Sequence, residues 1–510
     1  MIRGNIRLNA IANFFGRVAV AGAALLELPV YLAHLGPAAA GVIAFNATIY
    51  ASLSIFESGF TALLNYAVPE RAITAGLHKF SVLSRTLEII SWTIAAIFLG
   101  GAFVLGEVVK SDELAATHIA FLPVAALMAL STGFAFIGAV YCGILRATED
   151  QVVSNSLSSG LILFRAIFAV AAVILFHAGV LVVLGVYSLF ALIYSGVARV
   201  VAFRRAGVDL TQLNRIEMKA AIGPHLKFLL HMLYVKFTGV LSSQGDRVVA
   251  SMSFSLETFG YYAIAMTLAS RLNVLATPVQ MAVWPRFAAQ FREGGETPAA
   301  KTFYHKSMQA SLLVMLPAAI VIISMPHQVL FGWTGNHQLA MTMALPLSLL
   351  ATGSLASGLY QIPYAAQIST GWGSLTSTLT TSLAPLAIVL MFLLASRFGP
   401  IALGSIVAVR DLVFLIVGSF WMHQKLLKGE ERKFFLNDIG VTVVIALLSP
   451  IVFLSLFRGP ATQLHSLVMV VCAALLSSIF LLARFPWTRD SLTQIAKRTW
   501  ASMPGHNGSL

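Results

Sequence analysis

Several charged residues lie inside stretches of sequence that are otherwise apolar enough to cross a bilayer. The stretch FFGRVAVAGAALLELPVYL, from Phe14 to Leu32, carries both Arg17 and Glu27. A charge at the middle of a membrane helix costs about 2.5–3.5 kcal/mol on insertion scales, so such residues normally face a bundle interior or a water-filled path. There, cations can bind phosphate and carboxylates can hold a proton or a cation. These residues are therefore the first candidates for function.

Four basic residues within apolar stretches are candidates for binding an anion: Arg17, Arg165, Lys236 and Arg271. Arg17 lies about eight residues into its segment, which is about 12 Å at 1.5 Å per residue, although an arginine can stretch back toward the interface. Arg165 lies near the middle of its segment. It is expected either to face a cavity or to pair with an acid on a neighbouring helix.

The acidic candidates fall into two groups, near the outer ends of segments and near the inner side. Glu27 is ten residues from Arg17, hence about 15 Å away along the axis and on another face, so these two cannot neutralise each other. Glu27, Asp246 and Arg247 suit an outer gate of ion pairs between bundles, or ordinary solvated charges. Glu57 is the first candidate for ion coupling, with helix packing as the alternative.

Arg410 and Asp411 are adjacent in another apolar segment. Adjacent helical residues point to different faces, so we expect each to pair with another helix rather than with its neighbour.

The composition predicts the elements that position these residues. Of 510 residues, 58% are hydrophobic and only 10% are charged, against about 25% charged in soluble domains. Mean hydropathy is +0.85. Repeated runs of about 20 apolar residues predict an all-α integral membrane protein. We expect about fourteen transmembrane helices, near residues 9–34, 38–66, 83–106, 118–145, 155–178, 180–203, 223–251, 259–284, 307–326, 341–366, 374–396, 401–423, 437–457 and 466–484.

The basic residues between these segments are strongly biased to one side. Almost all of them fall on the side of the N-terminus, which predicts that both termini are cytoplasmic. Much of the formal net charge of +13 is thus an orientation signal, and nucleic acid is not an expected partner. The expected location is the cytoplasmic membrane.

An internal repeat relates two parts of the chain at an offset of 219 residues. It aligns LGPAAAGVIAFNATIYASL, from Leu35 to Leu53, with FSLETFGYYAIAMTLASRL, from Phe254 to Leu272. The same offset pairs Gly41 with Gly260, Arg17 with Lys236, and Glu27 with Asp246. Matched charges in helices that should contain none predict two pseudo-symmetric six-helix bundles in the same orientation. The predicted domains are 1–210, 211–430, two additional helices over 431–484, and a cytoplasmic tail over 485–510.

The motifs LGPAAAGVIAF and FESGFTALLNYAVPERA, together with the stretch from Ser242 to Phe287, resemble bacterial O-antigen and exopolysaccharide repeat-unit flippases. These belong to the multidrug/oligosaccharidyl-lipid/polysaccharide exporter superfamily. The resemblance implies two bundles forming a V around a central cavity. It also implies transport of an undecaprenyl-pyrophosphate-linked glycan from the inner to the outer leaflet by alternating access. Membrane lipids, a polysaccharide polymerase and a chain-length regulator are the further implied partners.

The resemblance also bears on single residues. Arginines in the first and eighth helices line the cavity of related lipid II flippases, and Arg17 and Arg271 occupy those helices here. Those relatives carry a basic residue in the second helix that this chain lacks.

Three other functions remain open. A cation-coupled multidrug antiporter of the same superfamily would need an acidic cavity, whereas basic residues outnumber acids within these segments. A membrane-embedded polymerase or ligase would usually carry a large outer loop, and the predicted loops are short. A non-transporting scaffold of a glycan assembly complex is the third. No nucleotide-binding motif or metal-ligand spacing is found, so the sequence predicts neither an enzyme nor a cofactor or metal site.

Overall fold

The computed structural model describes residues 6–67, 74–108, 121–209, 214–292, 297–456, 462–485 and 487. These residues form helices and no β-strand. Ten of the helices are long and apolar enough to cross a membrane. The prediction of an all-α, multi-pass membrane protein is therefore confirmed. The predicted tail over 485–510 lies almost wholly outside the described residues.

The chain divides into two compact units, Met1–Thr267 with Thr380–Leu403, and Leu268–Leu379 with Gly404–Leu510. Helices that begin in the first unit are α1 (Ile6–Ala67), α2 (Thr74–Val108), α3 (Phe121–Ala147), α4 (Gln151–Phe176), α5 (Val180–Ala206), α6 (Arg215–Ile222), α7 (Leu226–Ser253) and α8 (Leu256–Arg292). The later helices are α9 (Pro298–Ser324), α10 (Pro326–Thr334), α11 (His337–Ser369), α12 (Ser374–Val413), α13 (Ser419–Leu426), α14 (Val441–Leu456) and α15 (Gln463–Arg484). Since α8 and α12 cross between units, these units differ from the domains predicted from sequence, which stay a prediction.

Two of the long helices contain a break at glycine. In α1, Gly36 has φ 82° and is followed by Pro37; in α12, Gly399 has φ 58° and is followed by Pro400. Glycine adopts positive φ without a side-chain clash, and proline supplies no N–H to the preceding turn. Both breaks fall between predicted segments. The apolar stretches that contain these breaks have 46 and 53 residues, so each is long enough to cross a membrane twice. The total of fourteen transmembrane helices stays a prediction.

Gly41 of α1 and Gly260 of α8 make a close backbone contact within the first unit. A Cβ added to Gly41 would lie 2.4 Å from the carbonyl oxygen of Leu256, and one added to Gly260 would lie 2.3 Å from that of Pro37. The offset of 219 relates Pro37 to Leu256 and Gly41 to Gly260. Equivalent positions of the repeat therefore face each other reciprocally, as in a contact across a two-fold axis.

The core of the first unit is built around α3. This helix packs on α1, α2 and α5, and Phe136, Tyr141 and Cys142 on it are almost fully buried. Small residues allow the close approach, as at Gly138, where an added Cβ would meet the ring of Tyr194 at 2.3 Å. Such contacts are typical of packing between membrane helices. They hold α1, α4 and α5 in fixed positions around the charged residues.

Candidate functional site

The first unit contains a cluster of ionisable side chains that joins α1, α4 and α5. Glu27 is 5% exposed, and one of its oxygens lies 3.5 Å from Nη2 of Arg165. The hydroxyls of Tyr31 and Tyr187 donate to its other oxygen at 3.4 and 3.3 Å. A carboxylate in the membrane needs such partners, because an unpaired charge there is costly. We call these four residues the Glu27 cluster.

Arg165 uses only part of its hydrogen-bonding capacity within the Glu27 cluster. Its guanidinium lies over the ring of Tyr187, 3.9 Å from the centroid, and its Nε is buried without a hydrogen-bond partner among the described residues. A guanidinium has five N–H donors, whereas the ion pair to Glu27 uses one nitrogen at a long distance. The side chain is 28% exposed. Arg165 therefore has N–H donors beyond the one directed at Glu27.

These contacts decide between some sequence-based expectations. Of the two alternatives for Arg165, pairing with an acid on a neighbouring helix is present. All described partners of Glu27 lie within residues 1–210, the same predicted bundle. Its contacts thus form an ion pair inside that bundle, and a gating role of Glu27 stays a prediction. The physical reason for the ion pair is that α4 and α5 pack on α1, where α4 brings the guanidinium of Arg165 and α5 brings the phenol of Tyr187. Tyr31 lies one turn from Glu27 on α1 itself.

Asp246, which the repeat aligns with Glu27, also has a phenol as its hydrogen-bond partner. It is 2% exposed and accepts a hydrogen bond from the hydroxyl of Tyr262 at 2.8 Å, joining α7 to α8. The adjacent Arg247 has a buried Nε without a hydrogen-bond partner in the part of the chain that the structure describes. The gating role of this pair stays a prediction.

Glu57, the predicted coupling carboxylate, lies in an ion pair at the end of α3. It accepts from Nη2 of Arg146 and, at 3.2 Å, from the hydroxyl of Thr61. In the sequence, Arg146 lies between two predicted segments and contributes only to the bias of basic residues toward the side of the N-terminus. Nothing in the sequence marks its pairing, because Glu57 and Arg146 come together only through the packing of α1 against α3. A role of Glu57 in ion coupling is untested.

The other predicted cations are distributed over both units. Lys236 is an exposed residue of α7 in the first unit. Arg271 is a half-buried residue of α8 in the second unit. The side chain of Arg17 lies outside the described residues, although its backbone belongs to α1. The shared cavity predicted for these cations with Arg165 stays a prediction.

One prediction about pairing was wrong. Nε of Arg410 donates to Oδ1 of Asp411 at 2.8 Å, although adjacent positions point to different faces of a helix. The long arginine side chain can fold back along the helix surface to reach its neighbour. The role of both residues in pairing with other helices stays a prediction.

The second unit contains a polar network that the sequence did not reveal. His305 of α9 is 3% exposed and bonds Asp438 through Nδ1 and Glu430 through Nε2, the latter at 3.0 Å. Gln309 donates to Asp438 at 2.9 Å and accepts from the indole N–H of Trp487 at 2.8 Å. Burial raises the pKa of Glu430, but hydrogen bonds from His305 and Lys301 outweigh it and hold that pKa below its ordinary value. We call this the His305 network.

No protein-family profile and no curated protein matches the chain. Solved structures do match it. The lipid II flippase MurJ in its inward closed conformation matches with a TM-score of 0.72 and 14% identity, over 95% of this chain and 99% of that one. A multidrug resistance MATE transporter of the MOP superfamily, inward-facing, matches with 0.60 and 15% identity over 81% and 98%. A MOP superfamily transporter from Pyrococcus furiosus matches with 0.53 and 15% over 82% and 95%.

The chain has the fold of MurJ and the MATE transporters. At identities this low the likeness concerns the fold alone, and it agrees with the fold class expected from the sequence. These matches do not distinguish the O-antigen and exopolysaccharide flippases that the motifs suggested from other proteins of this fold, so that subtype stays a prediction.

Proposed function

We propose that this protein is a flippase that moves undecaprenyl-pyrophosphate-linked oligosaccharide repeat units from the inner to the outer leaflet of a bacterial cytoplasmic membrane. The observation that carries the proposal is the match to the MurJ fold, which extends over nearly all of both chains. Matches to MATE structures cover a smaller part of this chain. Both termini would be cytoplasmic, following the bias of basic residues.

The chemistry of this task is binding and release, with no bond made or broken in the glycan. The sugar and the pyrophosphate need a polar path, while the lipid tail stays in hydrocarbon. Arg165 supports this role because its side chain is 28% exposed and its ion pair with Glu27 uses only one guanidinium nitrogen. Guanidinium groups bind phosphate oxygens through charge-assisted, often bidentate hydrogen bonds. Alternating access, in which the binding site opens first to the inner and then to the outer side of the membrane, would carry the head group across.

The remaining residues take supporting roles in this proposal. The further cations for the pyrophosphate are Arg17, Lys236 and Arg271. Gating or ion coupling is assigned to Glu27, Glu57, Asp246 and Arg247. A polysaccharide polymerase and a chain-length regulator are proposed as partners that use the flipped product, and no cofactor is required.

A cation-coupled multidrug antiporter is the second candidate, because MATE transporters share the fold. Its cation would need a carboxylate with free acceptor capacity. In this chain, Glu27 already accepts two phenol hydroxyls and faces Arg165, and Glu57 faces Arg146. These contacts favour an anionic substrate.

The direct test is mass spectrometry of the lipids that co-purify with the protein. A polyprenyl-pyrophosphate glycan is the expected finding, and its absence from protein purified out of glycan-producing cells would count against the flippase. Transport is then measured in proteoliposomes with that lipid. Arg165→Gln should lower the rate about 10- to 100-fold, since a hydrogen bond to a charged group contributes about 1.5–3 kcal/mol.

The matched control is Arg204→Gln, which removes the same charge from an exposed position at the end of α5. It should transport at the wild-type rate. If Arg165→Gln also does so while remaining folded in the membrane, Arg165 does not bind the substrate. Drug efflux coupled to a cation gradient, without glycan transport, would instead establish the antiporter.

A further inference from the structure

A cavity opens in the first unit beside the short helix α6. It has a volume of about 360 Å³ and is lined by the end of α1, the start of α2, α6 and the turn that follows it. Its floor is apolar and includes Phe80 and Leu83, which are 1% and 3% exposed. Its polar lining residues are His78, Lys79, Glu217 and His225. A cavity with an apolar floor and a few polar groups is typical of a small-molecule site.

Lys79 and Glu217 are opposite charges that line this cavity without pairing. Both are exposed, and neither makes an ion pair within the residues that the structure describes. Glu217 uses one oxygen for a long contact of 3.5 Å to the backbone N–H of Asn214, as part of the capping box of α6. Its other oxygen remains available. Two unpaired opposite charges in one cavity complement a ligand that carries both.

The surroundings of this cavity have the features of a membrane interface. Helix α6 is eight residues long and lies between α5 and α7, and its Ile216 is 74% exposed beside the charged Arg215. A short helix with an exposed apolar residue among charged ones is typical of an interfacial helix. Tyr66 is 56% exposed and stacks on Phe228 with ring centroids 4.8 Å apart, as in the aromatic belts of membrane proteins.

We propose that this cavity binds the headgroup of an aminophospholipid. Lys79 pairs with the lipid phosphate, to which His78 and His225 add N–H donors, and Glu217 accepts hydrogen bonds from the primary ammonium. The glycerol and the first methylene groups lie against the more accessible apolar lining residues, Ala220 and Ala221. The ammonium matters because it donates three N–H bonds, whereas a quaternary choline donates none. This site is separate from the Glu27 cluster and does not depend on the proposed transport function.

The test is native mass spectrometry of the purified full-length protein, titrated with phosphatidylethanolamine, phosphatidylcholine or phosphatidylglycerol. Phosphatidylethanolamine should bind about tenfold more tightly than phosphatidylcholine, as expected for a hydrogen bond to a charged group. Lys79→Ala should weaken the binding of all three lipids. Glu217→Gln should reduce phosphatidylethanolamine to the level of phosphatidylcholine without weakening phosphatidylglycerol.

Two features of the chain keep this test interpretable. Glutamine at the third position of a helix preserves the capping box, so Glu217→Gln leaves α6 folded. Lys219→Ala removes the same charge as Lys79→Ala from an exposed position of α6 outside the cavity lining, and should change no affinity.

Three outcomes would overturn the proposal. They are equal binding of the three lipids by wild type, a retained ethanolamine preference in Glu217→Gln, and equal effects of Lys79→Ala and Lys219→Ala. Displacement of the lipid by soluble phosphoethanolamine at similar concentration would show a water-soluble ligand instead, and would also overturn it.

Discussion

The reciprocal contact between Gly41 and Gly260 makes a sharp prediction about stability. Gly41→Ala would put a Cβ 2.4 Å from the carbonyl oxygen of Leu256, and side-chain carbons essentially never approach closer than 3.0 Å. The obstructing atom belongs to a backbone, so α1 and α8 must move apart by at least about 0.6 Å. Overpacking of this kind costs about 1–3 kcal/mol, and the better helix propensity of alanine returns about 0.5–1 kcal/mol. The expected net loss is about 1–2 kcal/mol.

The measurement is the apparent melting temperature of the detergent-purified protein, followed by intrinsic fluorescence. The control is Gly185→Ala in α5, where an added Cβ meets nothing within 4 Å. That substitution should leave the melting temperature unchanged or raise it slightly. Gly41→Ala and Gly260→Ala should each lower it.

The two substitutions should also be coupled, because they disturb one contact. Once the helices have separated for the first methyl group, the second should cost less, so the double variant falls short of the sum. Full additivity, or a melting temperature of Gly41→Ala equal to that of Gly185→Ala, would refute the close packing.

Three further predictions concern other parts of the chain. The pKa of Glu430 is held below its ordinary value of 4.5, so its ionised carboxylate stabilises the protein above pH 4.5, and this contribution is lost as the pH falls toward the lowered pKa. In Glu430→Gln the melting temperature should therefore depend less on pH below 4.5, and a pH profile equal to that of the wild type would contradict this. A double-mutant cycle of Glu57→Gln and Arg146→Gln should show coupling of at least about 0.5 kcal/mol in chemical unfolding; simple additivity would mean the ion pair contributes nothing. Gly36→Ala should destabilise by about 1–3 kcal/mol in the same assay, because φ 82° with ψ 171° is a backbone conformation that essentially only glycine adopts, and a gain in stability would show that the break straightens.

The sequence predicted the helices well because the relevant signals are local. Hydrophobic run length decides whether a segment can cross the membrane, and the Gly-Pro pairs at Gly36 and Gly399 mark the breaks within α1 and α12. The repeat aligned Gly41 with Gly260, and the structure brings these two residues into contact. That contact could not be read from the alignment, because a repeat gives equivalence of position and says nothing of proximity.

The pairing of charges was harder to predict. Which helix face meets which is set by packing of small residues around α3, so the partners of Glu27 and Glu57 could not be named from spacing. The partner of Glu57, Arg146, came from a position interpreted only as a topology signal. The prediction for Arg410 and Asp411 was wrong for a different reason. Ideal helix geometry describes where Cβ atoms point, whereas a long side chain can reach further.

The His305 network has a consequence for shortening or recombining this chain. Residues 431–484 were expected to form two additional helices, and such an extension is an obvious segment to delete or exchange. Asp438 comes from that segment and is 1% exposed, between His305 and Gln309 of α9. A chain cut after Leu427 would remove both carboxylate partners of His305 and both partners of Gln309, at about 1–3 kcal/mol for each polar group left unsatisfied. A viable truncation would therefore require apolar replacements at His305 and Gln309, and a chimera would have to exchange α9 together with the last two helices.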